Sequence, residues 1–481
     1  MSTFQGLEIV KTGLFVSQKA LDLTGHNISN ANTPGYTRQV LDLSSIAPPT
    51  TFGMYDQWGK AIGEGVKIDS IRQIRDQFLD NQFRRENKAL GEWTTKADVL
   101  SAVEGIFNEP SSSGINTVLN DFFNSLQELA KNPESLTVRA EVRERALALQ
   151  DTFNSVYQHL YDKKSELNAT VQTRVEEINS FAKRISKLNG EIYRFELTGQ
   201  TANDLRDQRN LLVDELSKLV NINTYEDSNR NFRIDIAGQA LVDGSVPFTM
   251  GLNNYGDVVW DLTNSSVSPS SGILKGLLDM RDGDGSDGIK GIPYYINEWN
   301  KLAFSMAKEI NAVQETGYGL DGSTGISMFE GFATSNYDQN IQYAQLFKVS
   351  KDILASDGLQ KIAAASSDTS VPGDNTNALK LIALRDIGFS ELNGASFDDF
   401  ARSLISNLGV DAQQANLMLK NQEVMLKQID LNRQSVSGVS LDEEMTNMVR
   451  FQKSYNASAR MITAMDEILD TLINRTGVVG R

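Results

Sequence analysis

The most regular apolar spacing in the chain lies at its two ends. Leu7, Leu14, Leu21 and Ile28 fall seven residues apart, and Val10, Ser17 and Thr24 sit three residues after the first three. That is an a/d-type seam over about three heptads, the pattern of an amphipathic helix that packs against a partner. The helix is expected to stop near Asn30, because Asn30-Ala31-Asn32-Thr33-Pro34-Gly35 is dense in breakers. At the other end, Leu441, Met448, Tyr455, Ile462 and Leu469 form one row, and Glu444, Phe451, Ser458, Met465 and Leu472 form a second. Ser440 supplies an N-cap, followed by first-turn acids at Asp442, Glu443 and Glu444. Arg475 and Gly477 give a basic last turn and a glycine stop.

The interior reads as more helix with two interruptions. A further seam runs Ala401, Ile405, Leu408, Ala412, Ala415, Leu419, Gln422, Leu426, Ile429, and a hinge at 435–440 separates it from the last helix. Residues 134–189 contain no glycine and no proline. With Val171, Val175, Ile178, Ala182, Ile185 and Ile192 as their stripe, they predict one very long helix or two nearly continuous ones. Helices are also expected at 90–107, 117–130, 203–219 and 294–313. By contrast, 221–261 alternates, as in Phe232-Arg233-Ile234-Asp235-Ile236, and carries Asn-Asn and Asp-Gly turns, which is the pattern of strands and hairpins. Residues 319–393 are mixed and loop-rich, and 36–74 predict an extended arm or hairpin.

These elements predict a mainly α, multidomain α+β fold. Its terminal helices pair as a coiled coil, an inner bundle of long helices comes next, and a β-rich domain lies outermost. The expected division is 1–75 plus 436–481 for terminal assembly, 76–220 plus 266–318 plus 396–435 for the bundle, and 221–265 plus 319–395 for the outer domain. A length of 481 residues suits about three domains at roughly 150 residues each.

Charge narrows the partners. With 46 basic against 62 acidic residues the net charge is −16, which disfavours nucleic acid and anionic membranes. The absence of cysteine removes disulfides, thiolate metal sites and cysteine nucleophiles. It also suits a chain that crosses a membrane unfolded. The N-terminus has neither a basic n-region nor an apolar h-region, so these signals alone read as cytoplasmic, although a non-cleaved export route leaves no such mark.

Candidate chemistry is sparse. Gly283-Asp284-Gly285-Ser286-Asp287-Gly288 and Gly317-Tyr318-Gly319-Leu320-Asp321-Gly322 match a phosphate-loop spacing, but each follows a predicted helix rather than a strand, so they are read as surface turns. Asp282-Gly283-Asp284 resembles the start of a calcium loop, yet its sixth and twelfth positions are Asp287 and Pro293 instead of glycine and glutamate. The two histidines, His26 and His159, have no ligand-spaced companions; His26 is expected to suit the dipole at the end of the first helix. No catalytic, metal or cofactor site is assigned.

The stretch Asn27-Ile28-Ser29-Asn30-Ala31-Asn32-Thr33-Pro34-Gly35-Tyr36-Thr37-Arg38-Gln39 resembles a signature of the flagellar axial proteins of rod, hook and junction. Its motif residues are Asn27, Asn30, Asn32, Thr33, Pro34, Gly35 and Tyr36. Residues 437–460 resemble the closing segment of the flagellar hook-associated protein 1 family, the first hook–filament junction proteins. Asn203-Asp204-Leu205-Arg206-Asp207-Gln208-Arg209 and Gly373-Asp374-Asn375-Thr376-Asn377 agree with that family. The resemblance implies a structural subunit of the flagellum outside the cell. It would be exported through the type III channel and would self-assemble between the hook protein and the second junction protein. It further implies assembly through Leu7, Val10, Leu14, Leu21 and Ile28. Assembly and capture by an export chaperone would use Leu441, Met448, Phe451, Tyr455, Ile462, Met465, Leu469 and Leu472. Two other readings stand beside it: another axial protein of hook or rod, and a secreted enzyme or adhesin with coiled-coil ends.

Overall fold

The computed structural model describes residues 3–47, 63–107, 114–227, 230–330, 332 and 336–475. In chain order they form α1 (Thr3–Ser29), a hairpin of β1 (Gln39–Ser45) and β2 (Val66–Gln73), then α2 (Gln77–Phe107), α3 (Ile115–Lys131), α4 (Leu136–Glu196) and α5 (Asn203–Leu219). The antiparallel sheet β3 (Asn223–Glu226), β4 (Phe232–Ile236), β5 (Gln239–Asp243) and β6 (Val246–Pro247) follows, with the ribbon β7 (Met250–Leu252) and β8 (Val258–Trp260). Next come α6 (Ile273–Asp282), α7 (Ile292–Thr316) and β9 (Phe329–Glu330). After these come the single-turn α8 (Tyr343–Leu346), β10 (Lys348–Val349) paired with β9, the single-turn α9 (Lys351–Leu354), α10 (Thr376–Ala383), α11 (Phe397–Ser437) and α12 (Leu441–Asp470). The fold is mainly α with β insertions. No helix of the described residues is long and apolar enough to cross a membrane.

The unbroken run of helix formers becomes one helix. α4 has 61 residues, about 90 Å at 1.5 Å per residue. Ser135 caps it by accepting from the Val138 N–H, and its predicted stripe from Val171 to Ile192 is buried. α3, α5, α6 and α7 pack on α4, while α2 lies along α11. On α11 the seam residues Ala401, Leu408, Ala412, Ala415 and Ile429 are buried, whereas Ile405, Leu419 and Leu426 are half-buried. The core is dense in aromatics where Trp299 donates its indole N–H to Phe153 O at 3.1 Å and stacks obliquely on that ring.

Residues 221–265 and 319–395 sit on different stretches of α4. Asn179 and Asn189 bond the backbone at Met250, Phe232 and Gly244, whereas Arg139, Gln150 and Asn154 bond it at Ile362, Val349 and Phe347. The 25 residues of helix between Asn154 and Asn179 span about 38 Å. The two segments therefore decorate the bundle at two places instead of joining in one outer body. Side-chain amides on a long helix can satisfy loop backbone anywhere along it, and strand alternation does not say where.

α1 and α12 pack along each other, and the hairpin lies against α1. The extended arm expected after the first helix is the β1–β2 hairpin, with a bulge where the register shifts between Asp42 and Leu43. Its tip and Gly477 lie outside the described residues.

Candidate assembly interface

Why α1 ends where it does follows from local chemistry. Asn30 Nδ2 donates to the His26 carbonyl at 3.0 Å, taking up one of the last open acceptors of the helix. The chain then turns at Thr33-Pro34-Gly35-Tyr36, closed by Tyr36 N–H to Thr33 O at 3.1 Å. Proline holds the second position, and Gly35 adopts φ +78° at the third, which a type II turn requires. A Cβ at Gly35 would also come within 3.1 Å of Leu211, so the turn is pressed against α5.

Beyond the turn lies a polar knot that ties both ends of the chain to the bundle. Asn27 Nδ2 donates to Gln39 O at 2.9 Å and to Glu444 Oε2 at 3.2 Å. Asn27 Oδ1 accepts from Gln39 N at 3.1 Å and from Tyr36 Oη at 2.8 Å, so the buried amide is fully used. Arg38 Nε donates to Glu444 Oε1 at 2.7 Å, Arg38 Nη1 to Glu443 Oε2 at 2.6 Å, and the Arg38 backbone N–H to Ser437 O at 2.9 Å. Asp207 accepts from Thr37 N at 2.9 Å and Thr37 Oγ1 at 2.7 Å. Gln39 Nε2 donates to Asp204 at 2.7 Å. Arg433, near the end of α11, holds Asp214 at 2.6 Å.

Burial sets the electrostatics of this knot. It lifts Asp207 to about 6, against the pull of its two hydrogen bonds from Thr37 and of Arg75. Burial, with Asp204, Asp207 and Glu444 nearby, pushes the Tyr36 phenol above its usual range. Glu196, at the end of α4, is also burdened by burial, but Arg206, the Ala202 N–H and Arg230 outweigh that and hold it at about 2.

The terminal pair is antiparallel with a fixed register. Gly6 faces Met465, Gly13 faces Ser458, Ser17 Oγ lies 3.1 Å from Ser454 Oγ, and Asn27 meets Glu444, stepping down α12 as α1 steps up. The contacting row on α1 is thus Gly6, Gly13, Ala20 and Asn27, one residue before Leu7, Leu14, Leu21 and Ile28, while Ser17 and Thr24 of the second predicted row are buried as expected. Buried on α1 are Val16, Ser17, Ala20, Thr24 and Asn27. Leu7, Val10, Leu14, Leu21 and Ile28 are half-buried along the flank. The physical reason is distance: small side chains let two helices approach, and the leucines then straddle the contact.

On α12, Met448, Phe451, Tyr455, Ile462, Met465 and Leu469 are half-buried on the α1 side, whereas Leu441 and Leu472 are 48% and 46% exposed. Glu444 is the one fully buried residue of α12 among those described. Of the motif residues, Asn27 and Tyr36 lie in the knot, Asn30 closes the helix, and Asn32, Thr33, Pro34 and Gly35 are exposed beside a 480 Å³ groove facing the α11–α12 hinge.

His26 is more than a dipole partner: its Nε2 lies 3.4 Å from Asp204 Oδ1, and its ring stands edge-on to Tyr36 at 5.5 Å. Sequence reading quoted Thr37, Arg38, Gln39, Asp204 and Asp207 inside motifs but gave them no role. An acid at a heptad core position, Glu444, was the available signal, because it demands a buried cation. The two glycine-rich stretches follow α6 and α7, as surface turns do. Among the described residues no group of three His, Asp or Glu side chains is placed to hold a metal.

Two helical ends paired at fixed register and knotted to a bundle define a class, and the comparisons name it. Residues 432–475 match the model of the flagellar basal body rod FlgEFG protein C-terminal region, a flagellar family, over α12 and the end of α11. Residues 100–329 match the flagellar hook-associated protein FlgK helical domain. The chain is 36% identical over 510 residues to flagellar hook-associated protein 1 of Bacillus subtilis (strain 168), covering 100% of both chains. It is 26% identical over 550 residues to the Escherichia coli (strain K12) protein of the same name, covering 96% of this chain and 98% of that one. The chain belongs to the flagellar hook-associated protein 1 family. The flagellar hook junction protein FlgK from Burkholderia pseudomallei shares its fold, with a TM-score of 0.62 at 15% identity over 74% of this chain and 100% of that one.

Proposed function

We propose that this chain forms the junction between flagellar hook and filament, polymerising through α1 and α12 after export through the type III channel. One observation carries the reading. The terminal pair is ordered and registered, yet leaves a large apolar surface to solvent: Phe15, Met445, Val449, Met461 and Ile468 are 50–55% exposed. Apolar area of this kind marks a surface that another protein covers. Neighbouring copies, the hook protein on one side and the second junction protein on the other are the partners that family membership supports. Before export, a chaperone would cover the α12 stripe from Leu441 to Leu472. The reading places the protein outside the cell and assigns it no catalysis, nucleic acid or membrane. In the same reading α1, the hairpin and α12 are the assembly domain, and the helices from α2 to α11 are the body.

Deleting the gene should leave cells with hooks but no filaments, scored by electron microscopy; filaments of normal length would overturn the proposal. Leu14→Asp or Ile462→Asp should abolish junction assembly while the purified monomer stays folded. Each forfeits roughly 2 kcal/mol of burial per subunit, before the cost of desolvating the new charge.

A further inference from the structure

The helix α11 carries two apolar faces, and the bundle uses one. The seam that closes the bundle core buries Ala401, Leu408 and Ala415. Val410, Leu417 and Val424 each follow one of these by nine positions. Nine positions are about two and a half turns, so the second set lies on the opposite face of the helix. Leu431 extends it by another heptad, and the four side chains are 52–71% exposed. Met418 and Met425 lie one position after Leu417 and Val424 and are exposed with them. The row runs from Val410 to Leu431, about 32 Å of helix.

Single apolar residues on a surface need no explanation, but these stand in register along one face, with Gln414, Asn421 and Gln428 between them. A period of seven keeps a narrow stripe turned toward one neighbour over its whole length. Lys420 and Lys427 border the row, are exposed, and make no ion pair among the described residues.

The chemistry and place of the stripe select its occupant. A single row between polar side chains is too narrow to lie on a lipid surface, which takes a broad apolar face. It fits a ridge on another protein. The uncovered side chains also continue toward the terminal pair: Val436 before the hinge, and Leu441 and Met445 after it, are 42–53% exposed. A copy that covers α12 at Met445 is therefore already at the hinge where the α11 row ends. Each copy has a net charge of −16, so the free lysine edge meets a predominantly acidic surface on the next one.

We infer that the outer face of α11 packs against the body of a neighbouring copy, giving the array a second interface besides α1 and α12. This inference rests on the polymerisation reading and extends it, because the body then takes part in assembly together with the terminal pair.

Full-length protein with p-benzoylphenylalanine placed at Leu417 or Val424, expressed in cells that lack the native copy, gives the test. Irradiation of isolated hook–filament structures should yield a species of twice the chain mass, with both crosslinked peptides from this chain. Leu417→Lys combined with Val424→Lys should leave the purified monomer melting as the wild type does, because both side chains stand in solvent. The same pair should cut junction assembly by about tenfold or more. Lys420→Glu with Lys427→Glu should reduce it by a smaller factor. Normal junctions from the Leu417→Lys, Val424→Lys chain, or crosslinks only to a different protein, would overturn the second interface and leave polymerisation through α1 and α12 standing. Filaments of normal length in cells without the gene would sink the junction reading itself, and this inference with it.

Discussion

The bundle and the terminal pair are both long helices, but they are stabilised in different ways. In the bundle, Leu149, Phe153, Val171, Ile178 and Ile185 on α4 are 0% exposed, and neighbours cover that face along the whole helix. In the terminal pair, α12 buries one residue fully, the carboxylate Glu444, and its apolar side chains remain half-covered or exposed. One region has its core finished as a monomer. The other keeps an apolar face uncovered and is joined to the bundle by a polar knot; in the proposed reading it is half of a core. A stripe at helical spacing looks the same in both cases, and what differs is whether the chain itself supplies the second face.

The largest expected effect separates the two regions. Phe153→Ala should lower global stability by about 3–5 kcal/mol, read by chemical denaturation, because it opens a cavity in a fully covered aromatic cluster. If the bundle tolerated that loss as easily as the terminal pair tolerates Ile462→Asp, the contrast would fail.

Next comes the knot. Arg38→Ala leaves the Glu444 carboxylate buried without its cation, at a cost of about 3–5 kcal/mol. The loss should appear as release of the start of α12 while the bundle transition stays in place, followed by limited proteolysis near the hinge. Loss of the whole fold would mean that the ends and bundle unfold as one unit.

A pH effect is of comparable or smaller size. Asp207 rises from 3.8 to about 6 in the folded protein, chiefly by burial. A folded acid with a raised pKa binds its proton more tightly than the unfolded chain does, so stability falls as pH climbs from about 4 to about 6 and is then level. The gap is worth roughly 3 kcal/mol at about 1.4 kcal/mol per pH unit. Asp207→Asn should flatten that slope in denaturation midpoints measured at pH 4.5, 6 and 7. An unchanged slope would show that Asp207 stays ionised throughout. Glu196 acts in the opposite direction and lower down. Held at about 2, it stabilises above its unfolded value of 4.5 and loses that contribution as pH falls through about 2.

The smallest effect is a gain. A Cβ at Gly13 would sit 3.5 Å from Ser458 Oγ, an ordinary contact, so Gly13→Ala should stabilise α1 by about 0.5–1 kcal/mol through backbone entropy alone. Destabilisation would mean that the pair is packed more closely than this register allows.

Much of this was legible in the pattern of residues. The ends of α5, the long helical run of α4 and the hinge after α11 follow from glycine, proline and heptad spacing, although that spacing left open whether α4 is one helix or two. The rotation of the α1 contact was not, because a heptad search weights leucines and passes over Gly6, Gly13 and Ala20, whose small size fixes the approach. The knot was half-legible: Asn27 and Tyr36 stand in a recognisable motif, but the bonds from Asn27 to Glu444 and from Thr37 to Asp207 join residues far apart in the chain and have no local signature. The placement of 221–265 and 319–395 at separate sites on α4 was likewise beyond reach, since it depends on Asn154 and Asn179 each finding a loop to bond.

The most direct test of the half-core account is amide hydrogen exchange across the chain, in the dilute monomer and in assembled junctions. The account predicts that α4 is strongly protected in both, while residues 6–29 and 441–470 exchange far faster than α4 in the monomer and become protected on assembly. Terminal helices as protected as α4 in the monomer, and unchanged in the junction, would contradict it.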